Sequence, residues 1–470
     1  MDLTALTISE AAAVLRRGEV AAEAYAEALL RKAEQGAALN AFIHLDPAQV
    51  RADARAADAA RARAAPLGPL HGIPLALKDN LDTGAMPTTA GTPGLRGHRP
   101  ARNGVVVQKL LDAGAIVFGK TNLHELAYGI TNNNAAFGAA RNPYDPTRIP
   151  GASSGGVGVA VAARMAPGGI GSDTGGSVRI PAALCGIVGF RPTTGRWSQS
   201  GIVPISHTRD TAGPMTRSVA DCVLLDAVVT GASAGAAVSL KGLRLGVPRG
   251  HFWKPLDAEV ARLMEEVLGA LKEAGAILVE GDIPDVGRLD NEAGFPIALY
   301  ETVVDLDAYL AGHGLPMRYA ELVAQCASPD VAGLLQSLRG AGAIPEAAYR
   351  HALTVQRPQL QAAYRDHFKR HGVAAVVFPT TPLAAAPIGD DETVLLNGER
   401  VPTFPTFIRN SSPGSVAGIP GISLPAALTK AGLPVGVELD GPEGSDARLL
   451  AVAQAVEAIL PEMPAPKGQA

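Results

Sequence analysis

The sequence predicts an α/β protein organised as one large domain, and three observations carry that prediction. Short apolar runs stop abruptly at turn residues, as in GIPLALKDN, AIVFG, LRLGVP, AILVE and VAAVVFPTTP, which is the pattern of buried strands. Between them lie stretches of helical period, so that strands and helices alternate in both halves, as in parallel-type strand-helix units. The 470 residues are 47% hydrophobic and 18% charged, enough to bury a sizeable core. Length alone allows roughly two to four domains, but no internal repeat or low-complexity tract divides the chain.

Taken in order, residues 1–65 read as a helical cover. Thr7 and Glu10 form a capping-box pattern, Gly18 interrupts, and AAEAYAEALLRKAEQ resumes with Tyr25, Leu29 and Lys32 at helical spacing. Residues 47–64, alanine-rich with charges of both signs, read as a solvated surface helix. Residues 66–230 form the candidate catalytic core. Its first apolar run ends at Lys78, where Lys78 and Asp79 read locally as the polar residues that terminate a strand. VVVQKLLDAG then reads as a helix closed by Gly114, and AIVFG as a buried strand. After a turn-rich, Asn- and Pro-containing segment, GGVGVAVAARM is a small-residue helix, GGIGSDTGGS a short run into a tight glycine turn, and a helix starts near Ser218.

Residues 231–372 read as a mostly helical region. GASAGAAVSL is a linker-like loop, and LRLGVP, a helix over 257–274 and AILVE repeat the strand-helix-strand alternation. Residues 290–370 are largely helical. Residues 373–460 return to the core with VAAVVFPTTP, GISLPAAL, LPVGVEL and the helix DARLLAVAQAVEAIL, after which the tail PAPKGQA is expected to fray.

Composition removes several classes of function. A net charge of -4 gives no basis for binding nucleic acid. The N-terminus has an acid at position 2 and no signal-like apolar core, and no window reaches the roughly 18 apolar residues of a membrane span, so a cytoplasmic protein is expected. Cys185, Cys222 and Cys326 are odd in number and lack metal-ligand spacing, which fits buried thiols, no disulfide and no metal site. No cofactor is implied.

Two motif matches fail on context. Gly114–Thr121, GAIVFGKT, fits the phosphate-loop pattern GxxxxGK[ST], but the residues between its glycines are the strand itself rather than an open loop. GASSG at 151–155 fits the GxSxG nucleophile elbow, but NPYDPTRIP before it cannot supply the buried strand an elbow needs.

The chemistry is concentrated in 151–192, GASSGGVGVAVAARMAPGGIGSDTGGSVRIPAALCGIVGFRP. Hydroxyls and glycines crowd two loops around a helical segment, and glycine lets backbone N–H groups approach a ligand. On the residues alone, serine hydrolysis and a structural or ligand-binding role both remain open.

GIPLALKDN, TTAGT, GAIVFGKTN, HELAYG, GSDTGGSVRIPA, CGIVGFRPT, GLPVGVEL and DARLLA occur in the order found in the amidase signature family, which the chain resembles over nearly its full length. The resemblance implies an α/β/α sandwich around a mixed central sheet, and a Ser-cisSer-Lys triad of Ser177, Ser153 and Lys78. The cis peptide falls at Ala152–Ser153, where the commoner family sequence has glycine before the serine. The oxyanion site implied is the backbone N–H of Thr174, Gly175, Gly176 and Ser177, with roughly 3–4 kcal/mol for each important donor. Ser154, Asp173 and Arg179 are expected as supports of these loops.

The implied chemistry requires neutral Lys78 as base, which costs roughly 4–5 kcal/mol at pH 7 unless burial lowers its pKa. Lys78 then takes a proton from Ser153, and Ser153 takes one from Ser177 as that attacks the amide. FRPTTGRWSQSGIVPISHTRD is most similar to members that hydrolyse indoleacetamide and mandelamide, so the expected partner is a small aryl or arylalkyl amide. Aryl carbamates and anilides are the alternative substrates. An amidotransferase subunit and a non-catalytic binding subunit rank lower, and a homodimer is left open. The family's pockets draw on the loops after Met86 and Thr131 and on residues 290–410.

Overall fold

The structure is a computed structural model and describes residues 1–467. Its strands are β1 (Phe42–His44), β2 (Pro74–Lys78), β3 (Ile116–Thr121), β4 (Asn133–Asn134), β5 (Gly138–Ala139), β6 (Gly168–Asp173), β7 (Val188–Arg191), β8 (Thr211–Thr216), β9 (Arg244–Val247), β10 (Ile277–Glu280), β11 (Ala375–Pro379), β12 (Thr393–Leu396), β13 (Glu399–Pro402), β14 (Gly421–Leu428) and β15 (Pro434–Asp440). Eleven of them form one sheet in the order β1-β3-β2-β6-β8-β7-β14-β15-β11-β9-β10, while β4–β5 and β12–β13 are separate two-stranded pairs. With helices around this sheet, the fold is α/β.

The strand-helix alternation predicts parallel pairing, and parallel pairing occurs only toward the two ends, at β3-β2-β6 and β11-β9-β10. From β6 through β8, β7, β14 and β15 to β11 every pair is antiparallel. The physical reason is visible at β14 and β15, which a short turn joins directly: Gly432 takes φ +77 there, and no crossover helix intervenes. β2 and β6, which carry Lys78 and Ser172, are parallel neighbours, so their C-terminal ends open on the same edge of the sheet.

The helical cover follows from local chemistry. Thr7 and Glu10 complete a reciprocal capping box on the helix Ile8–Arg17, and Gly18 ends it at φ +71. The helix Ala22–Gln35 has no cap of its own. Asp58 supplies one from the helix Pro47–Ala62, accepting the N–H of Ala22 at 2.8 Å and of Glu23 at 3.0 Å. That helix is therefore half-docked rather than merely solvated, with Val50 and Ala54 buried. One apolar cluster joins the cover to β2 and β3. A second joins β9, β11, β14 and β15 to the helices Ala258–Glu273, Arg357–His371 and Asp446–Glu457.

One smaller expectation is corrected. Cys185 and Cys222 are buried free thiols, but Cys326 is partly exposed. In the tail expected to fray, the Pro464 carbonyl accepts the Tyr144 hydroxyl at 2.9 Å, and residues 468–470 lie outside those described. No helix among the described residues is long and apolar enough to cross a membrane.

Candidate active site

Lys78 is the last residue of β2 and is completely buried. Its ammonium nitrogen donates to Ser153 Oγ at 2.7 Å and to Ser172 Oγ at 2.8 Å. Ser172 Oγ also accepts the Asn80 side-chain amide at 3.0 Å, so the lysine is aimed by residues from both neighbouring strand ends. Burial draws its pKa down to about 7, against the pull of the Asp173 and Asp210 charges. At neutral pH a large fraction is the free amine, which removes most of the cost of using lysine as a base.

Ser153 lies in the loop preceding the helix Gly155–Ala162, and the peptide Ala152–Ser153 is cis. The next residue, Ser154, joins this loop to the loop that carries Ser177. Its N–H donates to the Ser177 carbonyl at 3.1 Å, and its hydroxyl donates to the Ser172 carbonyl at 3.2 Å. Ser177 Oγ makes no hydrogen bond among the described residues. The structure thus brings Lys78 and Ser153 into contact and leaves the Ser153–Ser177 contact open, as is common before a substrate tightens a site.

The turn 173–177 is built around the Asp173 carboxylate, which accepts the N–H of Gly176 at 2.9 Å and of Val178 at 3.2 Å. It also receives Arg179 Nε at 3.1 Å and Arg191 Nη1 at 3.0 Å. These cations hold its pKa far below the usual carboxylate range despite complete burial. Arg179 in turn pairs with Glu438 and donates to the Ser411 carbonyl at 3.0 Å, while Ser411 Oγ donates to the Gly175 carbonyl at 2.8 Å. Gly176 takes φ +138, and a Cβ there would run into the Ser411 hydroxyl. Of the four N–H groups expected to face an oxyanion, that of Gly176 is committed to Asp173. Those of Thr174, Gly175 and Ser177 find no acceptor among the described residues.

A cavity of about 340 Å³ opens on this turn, lined by Thr174, Gly175, Gly176 and Ser177 and otherwise mainly apolar. Ile180, Ile205, Leu299 and Ile408 contribute to its walls, with Phe295 and Phe404 6.3 Å apart between ring centroids. Lys78 and Ser153 do not line it. Residues within 290–410 do, as expected, and so does Thr131, but none comes from the loop just after Met86. That loop is engaged elsewhere: Lys120 Nζ takes the Pro87 carbonyl and Thr88 Oγ1, both at 2.9 Å, and pairs with Asp79 at 2.9 Å, with both charges fully buried.

This geometry accounts for both misleading motifs. The lysine of GAIVFGKT lies inside β3 and is spent on Asp79, so no phosphate cradle exists there. The serine of GASSG contacts a lysine, while His207, the histidine an elbow reading would recruit, is exposed and binds Asp305 at 3.0 Å. Sequence reasoning missed Ser172, Asn80, Arg191, Arg209 and Ser411. Ser172 had a usable signal, being a hydroxyl at the end of a buried strand beside the one that ends in Lys78. Ser411 had none, since it lies more than two hundred residues away in the chain.

The sequence matches the Amidase family over residues 24–450. It is 44% identical over 454 residues to an indoleacetamide hydrolase of Allorhizobium ampelinum, covering 97% of this chain and 98% of that one. It is 41% identical over 477 residues to a mandelamide hydrolase of Pseudomonas putida, covering 98% and 92%. The native peptide amidase of Stenotrophomonas maltophilia superposes with a TM-score of 0.85 at 32% identity, covering 98% of each chain.

Proposed function

The chain belongs to the amidase signature family and is a carbon–nitrogen bond hydrolase, and we propose that it cleaves small arylalkyl primary amides to carboxylate and ammonia with Ser177 as nucleophile. The observation that carries this reading is the 2.7 Å contact between a fully buried Lys78 and Ser153, directly behind the loop that presents Ser177 to a mainly apolar cavity.

Ser177 Oγ attacks the amide carbonyl as its proton passes to Ser153 Oγ, while the Ser153 proton passes to the free amine of Lys78. Charge developing on the carbonyl oxygen is met by the uncommitted N–H groups of the 174–177 turn. The relay then runs backwards, protonating the departing nitrogen and leaving an acyl ester on Ser177 that water opens by the same route. The partner is a small-molecule amide, and the chemistry needs no cofactor. The aryl part of the substrate lies against Phe295, Phe404 and the aliphatic walls, for which the similarity to indoleacetamide and mandelamide hydrolases is the support.

The test is release of ammonia from phenylacetamide, mandelamide and indole-3-acetamide, and of the arylamine from an anilide and an N-aryl carbamate, by the parent protein and by Ser177→Ala. Turnover of the arylalkyl amides by the parent alone is expected. Normal turnover by Ser177→Ala removes the assignment, and release from the carbamate alone moves the substrate class.

A further inference from the structure

We infer that Asp290 is a specificity determinant, whose carboxylate reads a hydrogen-bond donor on the acyl part of the substrate. This rests on the arylalkyl-amide reading above. The long helix Val286–Gly312 turns Asp290, Gly294, Phe295, Ala298 and Leu299 toward the cavity. Their spacing of four, one, three and one is a single helical face. Four of the five are apolar or glycine, and the carboxylate is the exception.

Asp290 is only 9% exposed. Its Oδ1 accepts the Ser412 hydroxyl at 2.9 Å, and its Oδ2 makes no hydrogen bond among the described residues. The nearby cation does not pair with it. Arg209 spends Nη1 on the Gly294 carbonyl at 2.7 Å and Nη2 on the Thr174 carbonyl at 3.0 Å. The other cavity carboxylates are occupied: Asp330 is exposed and bonded to His124, while both oxygens of Asp391 are taken by Thr131 and Asn133. Asp290 Oδ2 is therefore an acceptor open to the ligand cavity on an otherwise buried side chain, with no donor from the protein among the described residues, an arrangement that a donor on the ligand completes.

Position places the donor close to the reacting carbonyl, and because the leaving NH₂ is common to every primary amide, a donor that discriminates among them lies on the acyl group. Ser412 follows Ser411, which clamps the Gly175 carbonyl, and Arg209 braces Thr174, so Asp290 is tied to the turn that surrounds the reacting carbonyl. An α-hydroxyl or a ring N–H a few bonds from that carbonyl is the matching chemistry. Burial pushes the Asp290 pKa up to about 6, against Arg209 and Ser412, so the group remains an ionised acceptor above neutral pH.

The experiment compares kcat/KM within two matched pairs, mandelamide with phenylacetamide and indole-3-acetamide with benzothiophene-3-acetamide, for the parent, Asp290→Asn and Asp290→Leu. Ratios within a pair cancel any general loss from a poorly folding variant. Asn keeps the shape and the Ser412 contact but presents an amide N–H₂ or a neutral oxygen to the ligand. Expected is a preference of at least about tenfold for the donor-bearing member of one pair or both, falling to within about twofold in both variants. Ratios near one in the parent, or a preference unchanged in the variants, overturn the assignment of Asp290. Failure of the parent to release ammonia from all four amides instead brings down the arylalkyl-amide reading, and this inference with it.

Discussion

Lys78 Nζ lies 2.7 Å from Ser153 Oγ, and both residues are fully buried behind the wall of the cavity, which reaches only Ser177. The base and the relay are thus protein interior, and the nucleophile alone belongs to the pocket.

Activity should follow the ionisation of Lys78. The protonated lysine is inactive as a base, so kcat/KM is expected to rise with pH through about 7 and level off above it. Lys78→Arg keeps the positive charge but cannot deprotonate, and both it and Lys78→Ala are expected to lose roughly 10²–10⁴-fold in kcat. A pH profile on a primary amide checks the midpoint. A flat profile from pH 5 to 9 would remove Lys78 from the role.

Ser177→Ala is expected to abolish turnover while leaving thermal unfolding within a few degrees of the parent. Ser153→Ala should retain a small residue of activity, because the lysine and the nucleophile survive. Stopped-flow trapping of an acyl ester separates the two variants: none should form with Ser177→Ala, and a slow one should form with Ser153→Ala.

Ser172→Ala removes one of the two hydroxyls that accept from Lys78. Because that contact favours the charged amine, its loss should move the acid limb of the pH profile to lower pH while kcat falls about tenfold through poorer aim. A fall in kcat with an unmoved acid limb would reduce Ser172 to packing.

The charges around Asp173 are expected to govern acid stability. Its folded pKa is depressed, so its contribution is present above the unfolded value of about 3.9 and lost as pH falls below it. Asp173→Asn leaves Arg179 and Arg191 undercompensated in the interior, which costs about 3–5 kcal/mol. Chemical denaturation at pH 7 reads the first cost, and a series from pH 4 downward reads the acid effect, the gap between variant and parent narrowing as pH falls.

Lys120→Met strands the buried Asp79 and is expected to cost about 3–5 kcal/mol of stability. ATP should not raise the melting temperature of the parent. A nucleotide-dependent shift that Lys120→Met abolishes would revive the phosphate-loop reading.

The sequence made the local features legible because their causes are local. The capping box at Thr7, the strand that ends at Lys78 and the glycine turn before Ser177 each depend on a few adjacent residues. Antiparallel pairing in the middle of the sheet was not legible, since the pairing of β7 with β14 joins segments more than two hundred residues apart. The same limit hid the clamps on the catalytic turn. Arg179 reaches Glu438 and Ser411 reaches Gly175 across the chain, and neither contact leaves a spacing that can be read. The motif at 151–155 misled for the opposite reason: five residues matched a pattern whose meaning lies in the strand that should precede them.

The sealed position of Lys78 also determines how protons enter and leave. With no cavity surface on the lysine or on Ser153, the relay is reached from the Ser177 side of the site, which the departing nitrogen fills during acylation and the hydrolytic water enters afterwards. The proton borrowed at the first step is then handed to the departing nitrogen rather than exchanged with buffer. Added amines or imidazole should consequently be poor substitutes for Lys78 in Lys78→Ala, however freely they reach the pocket.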